Sequence, residues 1–313
     1  MDSRKIIKFG NSSYVVTLPF EWVRKHELDK GNSLNLSQNN DSIILSIDKG
    51  KTEKIATINV NDKPLKILNR EIISYYLKNY DFITLTGNDL IDKLEEIKVI
   101  KEKLSSVEIV EINNEHILLK DLTSISELSA IKLIFEVIEM EKVIFDELIK
   151  DTNDQRHYFI SSLDANINKL TFLTYKALNY NLDSLSAPEQ IKDTIHYWRI
   201  ITSLEFIGDK LKRIARYLKD SKKKEHVEYI NGLVNDIKDY FCFVTSLLDE
   251  NVNVENNLKL YLDKKQSLLI EFENIRDKFK DELTLYLVLT QLFKDLLGEI
   301  GNIVLSIIDL KNK

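Results

Sequence analysis

The stretch RKIIKFGNSSYVVTLPFEWVRKH, residues 4–26, decides how the front of this chain is built. KIIKF is a short β-prone run, GNS is a turn signal, and SYVVTL resumes the strand. Pro19 ends that strand and suits the first position of a helix, where its missing N–H would have no partner anyway. PFEWVRKHEL then gives about two helical turns before DKGNS interrupts it, with Gly31 able to take a positive φ. SLNLS and SIILSI alternate apolar and polar residues around QNND, a second hairpin signal. Residues 1–49 thus read as one small domain of strands around a short helix.

A unit of that size buries too little surface to be stable alone. Its apolar residues, among them Ile6, Phe9, Val15, Leu18, Trp22 and Leu36, exceed what one small sheet can cover. A symmetric dimer would solve this by pooling two half-cores. Arg4, Lys5, Lys8, Arg24 and Lys25 set five positive charges against Asp2 and Glu21 within residues 1–25, in a chain of net charge −6. Dimerisation doubles that local charge. Phosphate contacts need such a patch, and they make binding salt-dependent. Glu27 and Asp29 stand beside the patch and weaken it; the bland alternative is a solvated surface on a dimerisation module. The pattern R-x-I-x-K-F-G-N-S-S-x-x-V-T-L-P-x-E-W-V, followed by L-x-K-G and SIILSI, resembles the AbrB/SpoVT swapped-hairpin DNA-binding domain. The resemblance implies an intertwined homodimer that presents a basic face to promoter DNA.

The whole chain bounds the rest. Its 313 residues are 43% hydrophobic and 30% charged, a globular composition that suits two or three domains. Only 8 Gly and 3 Pro argue for long regular elements. The single cysteine, Cys242 in DYFCFV, excludes an intramolecular disulfide and reads as a buried small hydrophobe. No apolar run approaches the roughly 20 residues of a membrane span, and the charged start lacks a signal-peptide core. A cytoplasmic protein with no membrane insertion is expected.

Residues 50–121 read as a small α/β connector domain. KIATINV, DFITLTG, SVEIVEI and HILLKDL are strands. KPLKILNREIISYYLKN is a helix, and NDLIDKLEEIKVIKEKL is an amphipathic helix begun by Asn88 or Asp89. The β-α-β-α-β-β order implies one sheet with two helices packed on it. Gly87 stands alone in LTGND, so there is no glycine-rich phosphate loop. REIISYYLKNYDFITL resembles the middle region of archaeal PhoU-like regulators that carry an AbrB-type front.

From residue 122 to 313 the period changes to three and four. LSAIKLIFEVIEMEKVIFDELI carries a core-facing stripe that includes Leu133, Ile134, Ile138 and Ile144. Two further helices follow, the second with Ser186 as cap and Pro188 near its start. The lysine cluster at 222–224 marks a break, and three more helices follow. Three, a break, then three implies a tandem repeat, about 122–222 and 225–313. SLEFIGDKLKRI and DLLGEIGNIVLSI align with Gly208 on Gly301, which implies close helix approach. The fold class expected is therefore mainly α: an AbrB-like β module, a small α/β domain, then tandem three-helix bundles.

LEFIGDKLKRIA resembles the PhoU signature, in which an E-x-x-x-D pair on one helix serves a metal cluster and an upstream helix supplies a second pair. Glu205 and Asp209 match the first pair. SLDANINKL matches the second with Asp164 retained and Asn168 in place of a carboxylate. The resemblance implies a divalent or iron-type metal held by Asp164, Glu205 and Asp209. Read without it, Glu205 and Asp209 share a helical face, repel one another, and call for a cation. Lys212 and Arg213, one turn on, could equally supply the charge. In the second repeat Gly298 and Asn302 stand where Glu205 and Asp209 do, and Ser267 replaces the partner of Asp263, so that site has decayed. Asp154/His157 and Asp193/His196 are both D-x-x-H, a pattern related to di-iron bundles; surface or capping roles are the plainer account. No nucleophile or phosphate-loop motif is present.

Together these readings give a DNA-binding transcriptional regulator of phosphate uptake, with a PhoU-like sensor or partner-binding part and no covalent chemistry. The alternatives are an adaptor that binds a phosphate-transporter ATPase or signalling protein without DNA, and a carboxylate-bridged metalloenzyme.

Overall fold

The computed structural model describes residues 3–38, 43–47, 53–150, 154–184, 188–220, 224–278 and 283–312. Most of the QNND turn, the Ser186 cap and most of the lysine cluster at 222–224 lie outside the described residues. The chain forms two compact units, Met1–Thr52 and Glu53–Lys313.

In the first unit β1 (Ile7–Phe9) and β2 (Ser13–Val15) form an antiparallel hairpin with Ile7 opposite Val15 and Lys8 opposite Tyr14. Gly10 turns it with a φ of 72°. α1 (Phe20–Lys25) starts after Pro19 and is shorter than PFEWVRKHEL promised. It stops because Glu27 enters the left-handed region at φ 52°. The Leu28 N–H then donates to the Val23 carbonyl and the Glu27 N–H to that of Arg24, which satisfies the last helical acceptors. Gly31 is left-handed as well, at φ 97°. β3 (Leu34–Gln38) and β4 (Ile43–Ile47) form the second hairpin.

The second unit begins with a four-stranded sheet. β5 (Ile55–Asn59) runs parallel to β6 (Phe82–Thr86), which pairs antiparallel with β8 (His116–Asp121), which pairs antiparallel with β7 (Val107–Ile112). α2 (Leu65–Leu77) crosses between the parallel strands. α3 (Leu94–Lys101) starts later than expected, because the Asn88 N–H donates to Asn61 Oδ1 and Asp89 accepts from the Asp62 N–H. Alternation places Ala56, Ile58, Ile83, Leu85, Ile117 and Leu119 on the buried face. Leu68, Ile72 and Tyr76 of α2 and Ile97 and Ile100 of α3 join Ile58, Ile83, Leu85, Ile117 and Leu119 in one core.

A 3-10 turn at Ile125–Glu127 leads, among the described residues, into six helices: α4 (Ala130–Ile149), α5 (Asp154–Ser184), α6 (Pro188–Asp220), α7 (Lys224–Ser246), α8 (Glu255–Lys278) and α9 (Leu283–Lys311). The contact pattern repeats. α4, α5 and α6 pack on one another, α7, α8 and α9 do the same, and α4–α7 and α6–α9 contacts join the two sets. All six share one core, in which Phe145 of α4 meets Phe241 of α7 at 5.4 Å and Phe272 of α8 stacks on Phe293 of α9 at 5.3 Å. A fully buried side chain of this size contributes about 1.5–3 kcal/mol. Cys242 is half-buried, and burial pushes its thiol above the usual range, so it is a poor nucleophile.

The sheet and the helices belong to the same compact unit. Phe172 of α5 packs against the sheet core, and Asn179 Nδ2 donates to the Leu77 carbonyl at the end of α2, 2.8 Å away. Lys176 of α5 forms a buried ion pair with Asp121 at the end of β8 and lies 4.5 Å from the centre of the Tyr76 ring.

Candidate functional site

Two regions, one in each unit, hold the residues singled out from sequence. In the first unit no described residue is buried. Phe9 and Tyr14 are each 69% exposed, and Phe20 is 72% exposed. An isolated chain would leave this apolar surface in water, far outside the habits of a stable monomer. Ile7, Phe9 and Val15 share one face of the first hairpin, and Lys8 and Tyr14 the other.

The five expected cations are all exposed. Arg4 and Lys5 lead into β1, Lys8 lies on it, and Arg24 and Lys25 occupy the last turn of α1, where they complement the helix dipole. Glu21 sits in the first turn of that helix. Asp29 is tied into the following turn, its Oδ1 accepting from the Lys30 N–H at 2.7 Å.

The second region lies where α4, α5 and α6 meet. Asp164 of α5 is buried, and Lys212 of α6 donates to its Oδ2 at 2.5 Å. Burial still holds the Asp164 carboxyl above its usual range; Lys212 opposes that shift and the charge of Asp209 adds to it. Glu205 is pushed up to about 7, first by burial and then by Asp209 and Asp164. Asp209 is exposed.

A fourth carboxylate completes the group, and it was not among the residues picked from sequence. Glu141 of α4 is 0% exposed, and neither of its oxygens has a hydrogen-bond partner among the described residues. Burial, with the nearby charge of Glu205, drives its carboxyl well above the ordinary range, partly opposed by the Gly208 backbone. A methyl on Gly208 would stand 3.8 Å from Glu141 Oε1 and 3.7 Å from Ile167 Cδ1. That is ordinary contact, so the glycine marks three helices meeting but no unusually close approach.

The oxygen donors suit a hard divalent cation. Yet among the described residues no three acidic, His or Cys side chains are grouped so as to hold an ion. As arranged, Asp164, Glu205 and Asp209 lie near one another, and Lys212 pairs with Asp164. Lys212 supplies the positive charge, and burial favours the neutral form of Glu141.

In the second repeat the corresponding place has other chemistry. Lys265 Nζ and the Tyr261 hydroxyl lie nearest Gly301, and Asp263 is exposed. Asn302 accepts from Arg199 across the α6–α9 junction and donates to Glu299. The D-x-x-H pairs form no di-iron set among the described residues. His196 lies 3.7 Å from Asp309, and His157 Nδ1 is buried without a hydrogen-bond partner. The Asp154 side chain lies outside what is described.

Residues 7–54 match the family model described as antidote-toxin recognition MazE, bacterial antitoxin. The match spans both hairpins and α1, so the front of the chain is a MazE/AbrB-like domain. No curated protein and no solved structure matches the chain. Among the described residues no helix is long and apolar enough to cross a membrane.

Proposed function

We propose that the chain is a homodimeric, DNA-binding transcriptional regulator whose helical part receives a signal or a protein partner. One observation supports this above the others: a domain with no buried described residue, with Phe9, Tyr14 and Phe20 largely in water and all five basic side chains exposed. Pairing with a second copy would bury the apolar surface and leave the cations to face phosphate. The match at residues 7–54 agrees with it. The PhoU resemblance of the later helices points to phosphate uptake as the process and a cytoplasmic location. The mechanism is recognition without bond-breaking chemistry.

The experiment is a fluorescence titration of the full chain against DNA from upstream of its own coding region, with unrelated DNA as competitor. Preferential binding to the upstream fragment supports a regulator. Equal displacement by both fragments, or no binding, points to the adaptor, in which the front only dimerises and the helices engage a transporter ATPase or signalling protein.

A further inference from the structure

We infer that a groove along α4 is the docking site for a cationic amphipathic helix of a protein partner. Two depressions on the outer side of this helix, about 420 and 520 Å³, share Phe135 in their linings and adjoin there along α4. The first lies between α4 and α5, floored by Phe135, Met140, Val143 and Leu163. The second continues past Ile131 toward Tyr197 of α6, Leu248 of the α7–α8 turn, and Leu310 of α9. From Ile131 to Val143 the groove follows α4 for about 18 Å, roughly three turns of a docked helix.

The floor is apolar beyond what the core needs. Ile134, Val137, Ile138 and Ile144 already bury the inner face of α4, yet Phe135 and Val143 stand about 40% exposed on the outer one. The rim is acidic: Glu136 and Glu139 flank the first depression, and Asp193, Asp249 and Glu250 the second. Two of the nearby cations are engaged within the fold, while Lys132 on α4 is exposed. Lys142 pairs with Glu139 at 2.6 Å, and the Lys311 ammonium donates to the Asp249 and Val252 carbonyls at 2.5 and 2.7 Å.

An apolar floor inside an acidic rim selects a helix with apolar residues at three- and four-residue spacing and Lys or Arg on its flanks. The same sign repels nucleic acid, so this surface is separate in kind from the basic front domain. The inference rests on the helical part being the partner-binding half of the molecule.

The test uses the full chain and a labelled amphipathic Leu/Lys peptide of about four turns, followed by anisotropy. Saturable binding is expected, weakened about tenfold or more in a Glu136→Lys/Glu250→Lys variant and in Phe135→Ala. A control variant with equal charge change, Glu95→Lys/Glu102→Lys, should bind as the parent does. Circular dichroism of each variant guards against unfolding. Absence of saturable binding overturns the proposal. So does equal binding of a peptide of the same composition with its apolar residues scattered, or equal loss in the control variant. DNA takes no part, so failure here leaves the DNA reading standing.

Discussion

Lys212 on α6 reaches 2.5 Å to the Oδ2 of Asp164 on α5, and so supplies from within the chain the positive charge that this carboxylate cluster needs. The Asp164 side chain is only 4% exposed, whereas that of Lys212 is 27% exposed. Lys212→Met therefore strands a buried carboxylate, at about 3 kcal/mol, the lower end for a broken buried pair. Burial already favours the protonated form of Asp164, and losing the lysine favours it further. The deficit should shrink in acid, so urea unfolding should show a larger loss near about pH 8 than near about pH 5. A loss independent of pH would show that Lys212 acts by packing alone.

Glu205 gives a second pH signature. Its folded value of about 7 lies above the ordinary 4.5, so the folded state holds the proton more tightly than the unfolded state does. Its favourable contribution is full below about 4.5 and is lost as the pH rises through about 7. Glu205→Gln should flatten the stability profile and raise stability in mild alkali by about 1–2 kcal/mol, after allowance for solvent screening. A divalent cation that enters the cluster would raise the melting temperature of the parent there and not that of the variant. An unchanged profile in Glu205→Gln would contradict the assignment.

The Lys176–Asp121 pair joins the sheet to the helices, with side chains only 3% and 7% exposed. Asp121→Ala should destabilise the second unit by about 3 kcal/mol, the lower end for a broken buried pair, because the buried ammonium keeps only the nearby charge of Asp81. Replacing both residues by apolar ones of similar size should recover most of that loss. Thermal melts of the single and double variants decide it; equal damage from both would show that the charges themselves are needed.

The exposed apolar surface of the front unit predicts assembly. Light scattering on the full chain should give twice 36.5 kDa. The compact unit Glu53–Lys313, expressed alone, should run as a monomer. A monomeric full chain would leave Phe9, Tyr14 and Phe20 in water and would remove the basis for a doubled basic face.

The helices were legible because apolar residues recur at three and four with few Gly or Pro to interrupt them. The hairpins were legible from alternation and turn residues. Glu141 was legible too, but only to a reader who followed the α4 stripe. Ile134, Val137, Ile138, Ile144, Phe145 and Leu148 are buried, so position 141 faces the core and holds a carboxylate where an apolar residue belongs. Its meeting with Gly208 depends on how α4 crosses α6, which no local pattern encodes. Lys212 and Asp164 lie 48 residues apart, and Lys176 and Asp121 join a helix to a strand end; such pairings emerge only from packing. Boundaries failed where backbone geometry overrode propensity, as when Glu27 took a left-handed conformation and ended α1 early.

The most direct test of the central claim is the salt dependence of DNA affinity, measured for the parent chain and for Arg24→Glu. If exposed cations of a dimeric front domain hold phosphate, log affinity should fall linearly with log salt, with a slope of about −0.9 for each phosphate neutralised. Each copy carries Arg4, Lys5, Lys8, Arg24 and Lys25, so the parent slope should be steep. Arg24→Glu should weaken binding across all sequences and make the slope shallower. Affinity that does not change with salt, or a variant that binds as the parent does, would contradict the account.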